Sequence, residues 1–537
     1  MKNWYRILIL FLVSSSLLTF TAAAQQKNTD TERALVLKLA AYLKDSSYIK
    51  NTIRQIETEK KVEIQITGYQ KLHKQVQRML LLQSELKWLN MEAIRLAYED
   101  MKRIEGFDAV KYLPILTELE QQVKQGFGNI YSGDEAVLAN AEKAVANKRA
   151  ILLANPLLNG DKILTVRYQL GNRDRRAMAP ELGTQSNNWS NQESARRKGF
   201  NADIVELSNL RDEVQIRTIY KPDNTSSIAD LKLHWDGDRA MFTQTMSDNR
   251  WNVFEVKLNN GDCKKLIDNP EPDLEFYDGT YLPDGRIIAN SNIGYQGVPC
   301  VNGSDPVGNM VLYTPQSKNL RRLTFDQDAN WNPVIMNNGR VMYTRWEYTD
   351  LTHYYTRIVM NMNPDGTEQK ALYGSGSMFP NSTFDVQPLP GYASAFVGII
   401  SGHHGVARSG RLILFDPAKA RKGAAGMLQE IPHRNRPIVE EVKDRLVDGV
   451  WPQFIKPSPL NDTYFLVAAK LDKNDLWGIY LVDKFDNVTC LHKMEGEGYI
   501  SPIAVRKTVT PPAIPDRVKL DDKQATVFIQ DIYEGEG

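Results

Sequence analysis

The sequence predicts an all-β propeller of about six blades, with seven as the alternative count, preceded by an α-helical N-terminal domain. Three observations carry that prediction. LKLHWDGDRAMFTQT (231–245), TYLPDGRIIANS (280–291) and PVIMNNGRVMYTR (333–345) repeat one design: an apolar approach, a tight Gly-containing turn, an arginine and an alternating strand. Their arginines, Arg239, Arg286 and Arg340, recur about every 50 residues, the length of a propeller blade. Near residue 155 the hydrophobic period changes from that of a helix to that of a strand, and Asp-Gly and Asn-Gly turns multiply.

The first element is a targeting segment. Lys2 and Arg6 precede an apolar run from Ile7 to Phe20, and Ala22-Ala23-Ala24 offers a small-residue cleavage site. That run is shorter than the roughly 20 residues a spanning helix needs, and no cysteine follows it to carry a lipid. Residues 1–24 therefore read as a signal peptide, and the protein as exported, either periplasmic or secreted. No later stretch is apolar enough to cross a bilayer, so no transmembrane segment is expected. With 66 basic and 65 acidic residues there is no global field for nucleic acid. Cys263, Cys300 and Cys490 are few and widely spaced; export would permit one disulfide, without indicating which pair.

Residues 25–150 read as the helical domain. Leu35, Val36, Leu39 and Leu43 recur at helical spacing, as do Met79, Leu80, Leu86 and Leu89, and Pro114 is the only proline between 31 and 150. Strict heptads do not persist, which favours a compact bundle over a coiled coil. Residues 151–510 read as the propeller. Its best-defined blade runs from 229 to 268, as strands LKLHW, RAMFTQT, NVFEVKL and CKKLI. The same grammar gives four further blades, and a divergent first one split by a polar insertion at 171–200. ISPIAVRK (500–507) and ATVFIQD (525–531) are left over; they would close the ring or begin another domain, and 511–537 is read accordingly.

Two loops concentrate reactive side chains. Ser401-Gly402-His403-His404-Gly405 follows a strand and pairs two of the seven histidines between glycines. Neutral imidazole is the commonest metal ligand, so His403 and His404, with His353, form the metal-site candidate; the alternative is a structural loop. Arg345-Trp346-Glu347-Tyr348-Thr349-Asp350 packs a guanidinium, an indole and two carboxylates into one strand end. Arg345, Trp346, Glu347 and Asp350 are thus ligand-binding candidates, against the alternative of an ion-pair network between blades. Asp236, Asp238, Asp284 and Asp365 sit in β-turns, where a carboxylate caps its own backbone. No Gly-X-Ser-X-Gly elbow, P-loop or His-Glu-X-X-His is present.

YLPDGRIIANS…GYQGVPC, YTRWEYTD, GIISGHHGVARSGRLILFDP, DRLVDGVWPQF and LWGIYLVDKFDN, with PPAIPDRV near the end, resemble the middle domain of the hydrazine synthase alpha subunit, and more closely its exported homologues. The resemblance runs from about 150 onward. It implies a propeller, and in hydrazine synthase itself a multihaem enzyme joining nitric oxide and ammonia. Covalent haem requires Cys-X-X-Cys-His, which this sequence lacks; Cys490-Leu-His492 is the nearest fragment. The expectation is a haem-free propeller acting as a binding or assembly module for a protein or glycan ligand, with no covalent haem and at most one divalent metal as cofactor. The alternative is a metal-dependent lyase or hydrolase acting on a polysaccharide, with one divalent ion at the His403/His404 loop.

Overall fold

A computed structural model describes residues 27–524 apart from 159, 161, 170–181, 183, 186–190, 348–356, 381, 403–407 and 474. Among the described residues, six helices precede the strands: α1 (27–40), α2 (Ser47–Glu57), α3 (Val62–Lys87), α4 (Met91–Met101), α5 (Ala109–Gln125) and α6 (Glu135–Leu152). Asn90, Asp108 and Asp134 cap the last three, their side chains accepting backbone N–H groups of the first turn. The apolar stripes of α1, α2, α3 and α6 meet in one core around Val36, Ile53, Leu72, Val76 and Leu138.

The other helical faces pack onto the propeller. Ile94, Ala97 and Met101 of α4 share a core with Leu164, Ile479 and Leu481. Several polar groups buried at this seam are paired. Lys148 Nζ is fully buried and donates to Glu85 (3.2 Å) and to the Val488 carbonyl (2.9 Å). Tyr464 donates to Asp100 (2.9 Å), and Asn487 to the Ala93 carbonyl (2.8 Å). Buried charge at such a seam is tolerated only with partners in place.

Six four-stranded antiparallel sheets form the propeller. Blade 1 is closed by the two ends of the domain. Its inner strand, Glu497–Ala504, pairs with Lys162–Gln169, followed outward by Ala202–Ser208 and Gln215–Tyr220. The segment left over at 500–507 therefore closes the ring and removes its open edge, and the count is six. Blades 2 to 6 run consecutively, with inner strands Ile228–Leu233, Phe276–Tyr281, Asn330–Ile335, Thr383–Pro388 and Gln453–Pro459.

This topology sorts the loops between two faces. Turns joining first and second strands lie on one, the turn face. Connections joining second and third strands lie on the other, the long-loop face. The strands ending at Gln169, Trp346 and Ile400 all end on the long-loop face.

The repeated arginines are structural ties at the second strand. Arg239 pairs with Asp238 (2.7 Å), Arg286 with Asp284 and Asp516, and Arg340 bonds Asn361, Asn363 and the Glu368 carbonyl. Asp284 and Asp365 cap their own turns, at the N–H of Arg286 and of Thr367. After the last strand the chain crosses the turn face as a strap without forming a strand between 511 and 524. Thr508 N donates to the Trp235 carbonyl (2.8 Å), Asp516 takes both Nη atoms of Arg286 (2.8 Å each), and Arg517 and Val518 N–H groups reach Asp365. Gly237 and Gly339 serve both turn and strap: each has φ above +70°, and a Cβ there would meet the backbone of Arg506 or Pro512 within 3 Å. The second leftover segment, 525–531, lies outside the described residues. Cys263 and Cys490 are free thiols in different blades.

Candidate functional site

Each inner strand carries a bulge at the same level, where the register slips against the second strand. The residue at the slip has a left-handed backbone in every blade: Ser501, Asp230, Asp278, Asn332, Asp385 and Lys456, with φ between 49° and 56°. Asp and Asn adopt that conformation readily, whereas Ser and Lys do so rarely. The result is a ring of six polar side chains around the channel, all but Lys456 no more than 8% exposed.

Half of the ring is knitted blade to blade. Asp278 accepts the Asn332 N–H (2.6 Å), Asn332 Oδ1 accepts the Asp385 N–H (3.2 Å), and Asp385 accepts the Lys456 N–H (3.1 Å). Lys232 bridges Asp278 (3.1 Å) and the Pro333 carbonyl (2.7 Å), and Lys456 Nζ reaches Asp385 (2.9 Å) and Asp230 Oδ1 (3.5 Å). The other half does not follow the pattern. Asp278 N–H turns instead to Thr243 (2.9 Å), and Asp230 Oδ2 and Ser501 Oγ find no hydrogen-bond partner among the described residues. Burial raises the pKa of Asp230 and the charge on Asp278 raises it further, while Lys456, Lys232 and Thr243 oppose the rise.

On the turn face the ring is the floor of a cavity of about 560 Å³. Its walls include Trp235, Tyr281 and a run of prolines on or beside the inner strands, among them Pro333, Pro457 and Pro502; Lys507 and Thr508 of the strap stand at its margin. That size and the mix of apolar walls with a few convergent polar groups are those of a small-molecule site. Arg506 also lines it, held by the carbonyls of Leu157 (3.3 Å) and Leu460 (2.7 Å).

The long-loop end of the channel is plugged. Arg408 is buried with its guanidinium 4.7 Å from the ring centres of both Trp331 and Phe384. Burial lowers its pKa to about 10, and Asp385, Asp278 and Asp230 counter that fall. Trp331 also donates to Asn191, and Tyr277 to Glu193 (3.3 Å), so the described later part of the polar insertion helps fill this end. Burial, then the neighbouring Glu275, pushes the Glu193 pKa up to about 8.

Of the residues singled out from sequence, Arg345 forms ion pairs with Glu347 and with Asp326 (3.5 Å). Trp346 is buried, stacked on Trp331 (6.4 Å), with the Arg357 guanidinium 4.3 Å from its ring centre. Asp350, His353, His403 and His404 lie outside the described residues. Among the described residues one trio could hold a metal ion by distance: His234, Asp236 and Asp238 on a turn of blade 2. Arg239 contacts His234 Nε2 (2.7 Å) and both carboxylates, placing a fixed cation in that cluster. Burial and Arg239 also lower the His234 pKa.

Sequence reading did not find the ring. A signal for it was present: Asp230, Asp278 and Asn332 each stand seven residues before a turn glycine, Gly237, Gly285 and Gly339.

No protein-family model matches the chain, and no curated protein matches it in sequence. Among solved structures, Kuenenia stuttgartiensis hydrazine synthase is 12% identical, with a TM-score of 0.49, over 66% of this chain and 48% of that one. TolB from Acinetobacter baumannii is 10% identical, with a TM-score of 0.39, over 67% and 72%. Oligogalacturonate lyase from Vibrio parahaemolyticus is 12% identical, with a TM-score of 0.34, over 61% and 92%. This chain thus spans about half the length of the hydrazine synthase chain it matches. The six-bladed propeller rests on the chain's own strand pairing.

Proposed function

We propose that this chain is an exported, haem-free binding propeller whose ligand occupies the turn-face cavity. The observation that carries the reading is the floor of that cavity. A ring of buried polar groups, partly unpartnered, faces an opening that would hold a small molecule, and the opposite end is plugged by Arg408. Export is supported by the targeting pattern of residues 1–24. Kinship with the hydrazine synthase alpha middle domain is supported by the motif segments, and a role without covalent haem by the lack of Cys-X-X-Cys-His in the sequence.

The test is a thermal-shift screen with neutral, anionic and cationic metabolites, run on wild type and on Ser458→Trp, which sets an indole into the cavity wall. A compound that raises the wild-type Tm by several degrees and leaves folded S458W unmoved is the expected result. If no compound shifts the wild type, or if each shifts both proteins alike, the cavity is not the binding site.

A second reading has a structural observation in its favour. The stacks of Trp331 with Trp346 and with Arg408 bring together the roots of the loops that carry His353, His403 and His404. These would hold one divalent ion for lyase or hydrolase chemistry on a polysaccharide. Elemental analysis of the purified protein tests it: about one ion per chain supports the reading, and metal-free protein of unchanged stability in chelator ends it.

A further inference from the structure

The six ring positions share one backbone geometry, so their differences are chemical. From Asp278 through Asn332 and Asp385 to Lys456, each side chain accepts the N–H of the next blade. The relay stops at Lys456, because an ammonium cannot accept. The adjoining members, Ser501 of blade 1 and Asp230 of blade 2, are both more than nine-tenths buried, both line the cavity, and both carry an oxygen without a hydrogen-bond partner among the described residues. Leaving such atoms unsatisfied costs about 1–3 kcal/mol each, so these two oxygens cost the fold stability as they stand.

We infer that this open arc, Lys456–Ser501–Asp230, is a recognition site for the hydroxyl groups of a small saccharide. The inference rests on the proposed turn-face cavity and names what would occupy it. Three features select that chemistry. Asp230 Oδ2 offers an acceptor, Ser501 a hydroxyl that both donates and accepts, and Lys456 Nζ a third N–H beyond its two carboxylate contacts. A vicinal diol, with a donor and an acceptor on each oxygen, matches that mixture. At the floor itself the carboxyl groups of Asp230, Asp278 and Asp385 stand against Lys232, Lys456 and, from the far side, Arg408, while Arg506 and Lys507 stand elsewhere on the wall. An ammonium or carboxylate delivered to the floor would add a net charge in a buried setting, whereas a neutral hydroxyl does not. Above the floor, Trp235 and the rings of Pro333, Pro457 and Pro502 present apolar surface to the C–H faces of a sugar ring.

The experiment is calorimetric titration of the full chain with glucose, galactose, N-acetylglucosamine, maltose and cellobiose, beside cadaverine and succinate as charged probes. Glycine substitutions remove the two side chains and keep the left-handed backbone without strain. At least one neutral sugar should bind wild type, and Asp230→Gly and Ser501→Gly should each weaken it about tenfold, with circular dichroism unchanged. Sugar binding that both variants retain would overturn the inference. So would binding of cadaverine or succinate without any sugar, although the cavity would then stand as a binding site. If neither the sugars nor the charged probes bind, both the inference and the cavity reading fall.

Discussion

The closed and open arcs of the channel ring occupy equivalent places in one repeated fold and are built for opposite ends. In the closed arc, every carboxylate oxygen is set against a backbone N–H or a lysine, and each bond ties one blade to the next. In the open arc, Ser501 and Asp230 keep the left-handed backbone and leave oxygens unpartnered among the described residues. A conformation that recurs in six blades is a property of the bulge. What varies is whether the side chain at the bulge is used within the protein.

The same substitution in each arc sharpens the contrast. Asp278→Gly strips Lys232 of its nearest carboxylate and the Asn332 N–H of its acceptor and should destabilise the fold by about 2–4 kcal/mol, read by equilibrium denaturation. Glu193→Gln addresses the plugged end. Because the folded-state pKa of Glu193 is about 8 and the unfolded value about 4.3, the protonated form is the one the fold prefers. Stability from this group is therefore full below about pH 4, falls as pH rises, and is lost above about pH 8. The amide should raise stability at pH 9 by roughly 1–3 kcal/mol and change little at pH 4. The smallest effect is expected from Asp230→Gly, within about 1 kcal/mol of wild type, since Lys456 approaches it no closer than 3.5 Å. A loss at Asp230 equal to that at Asp278 would erase the distinction between the arcs.

Much of the fold was legible because it follows from local rules. The turn glycines, the alternating strands and the six-fold recurrence fix blades 1 to 6, and ISPIAVRK supplies the closing strand. The ring was not legible for two reasons. The repeats, as read, begin at Leu231, Thr280 and Pro333, just past Asp230, Asp278 and Asn332. In the other three blades the position holds Asp385, Lys456 and Ser501, which share no chemistry, only a φ value that sequence does not display. Histidine pairs and charge clusters draw attention instead to the long-loop face. Of those residues Arg345 is engaged by Glu347 and Asp326, and Trp346 is packed beneath Arg357.

The most direct test of the account is a crystal structure of the full chain grown with a sugar selected by calorimetry. Density in the turn-face cavity, with hydroxyl groups bonded to Asp230 Oδ2 and Ser501 Oγ, is the predicted result. A sugar seated on the long-loop face near His403 and His404, with the turn-face cavity holding solvent alone, would contradict it.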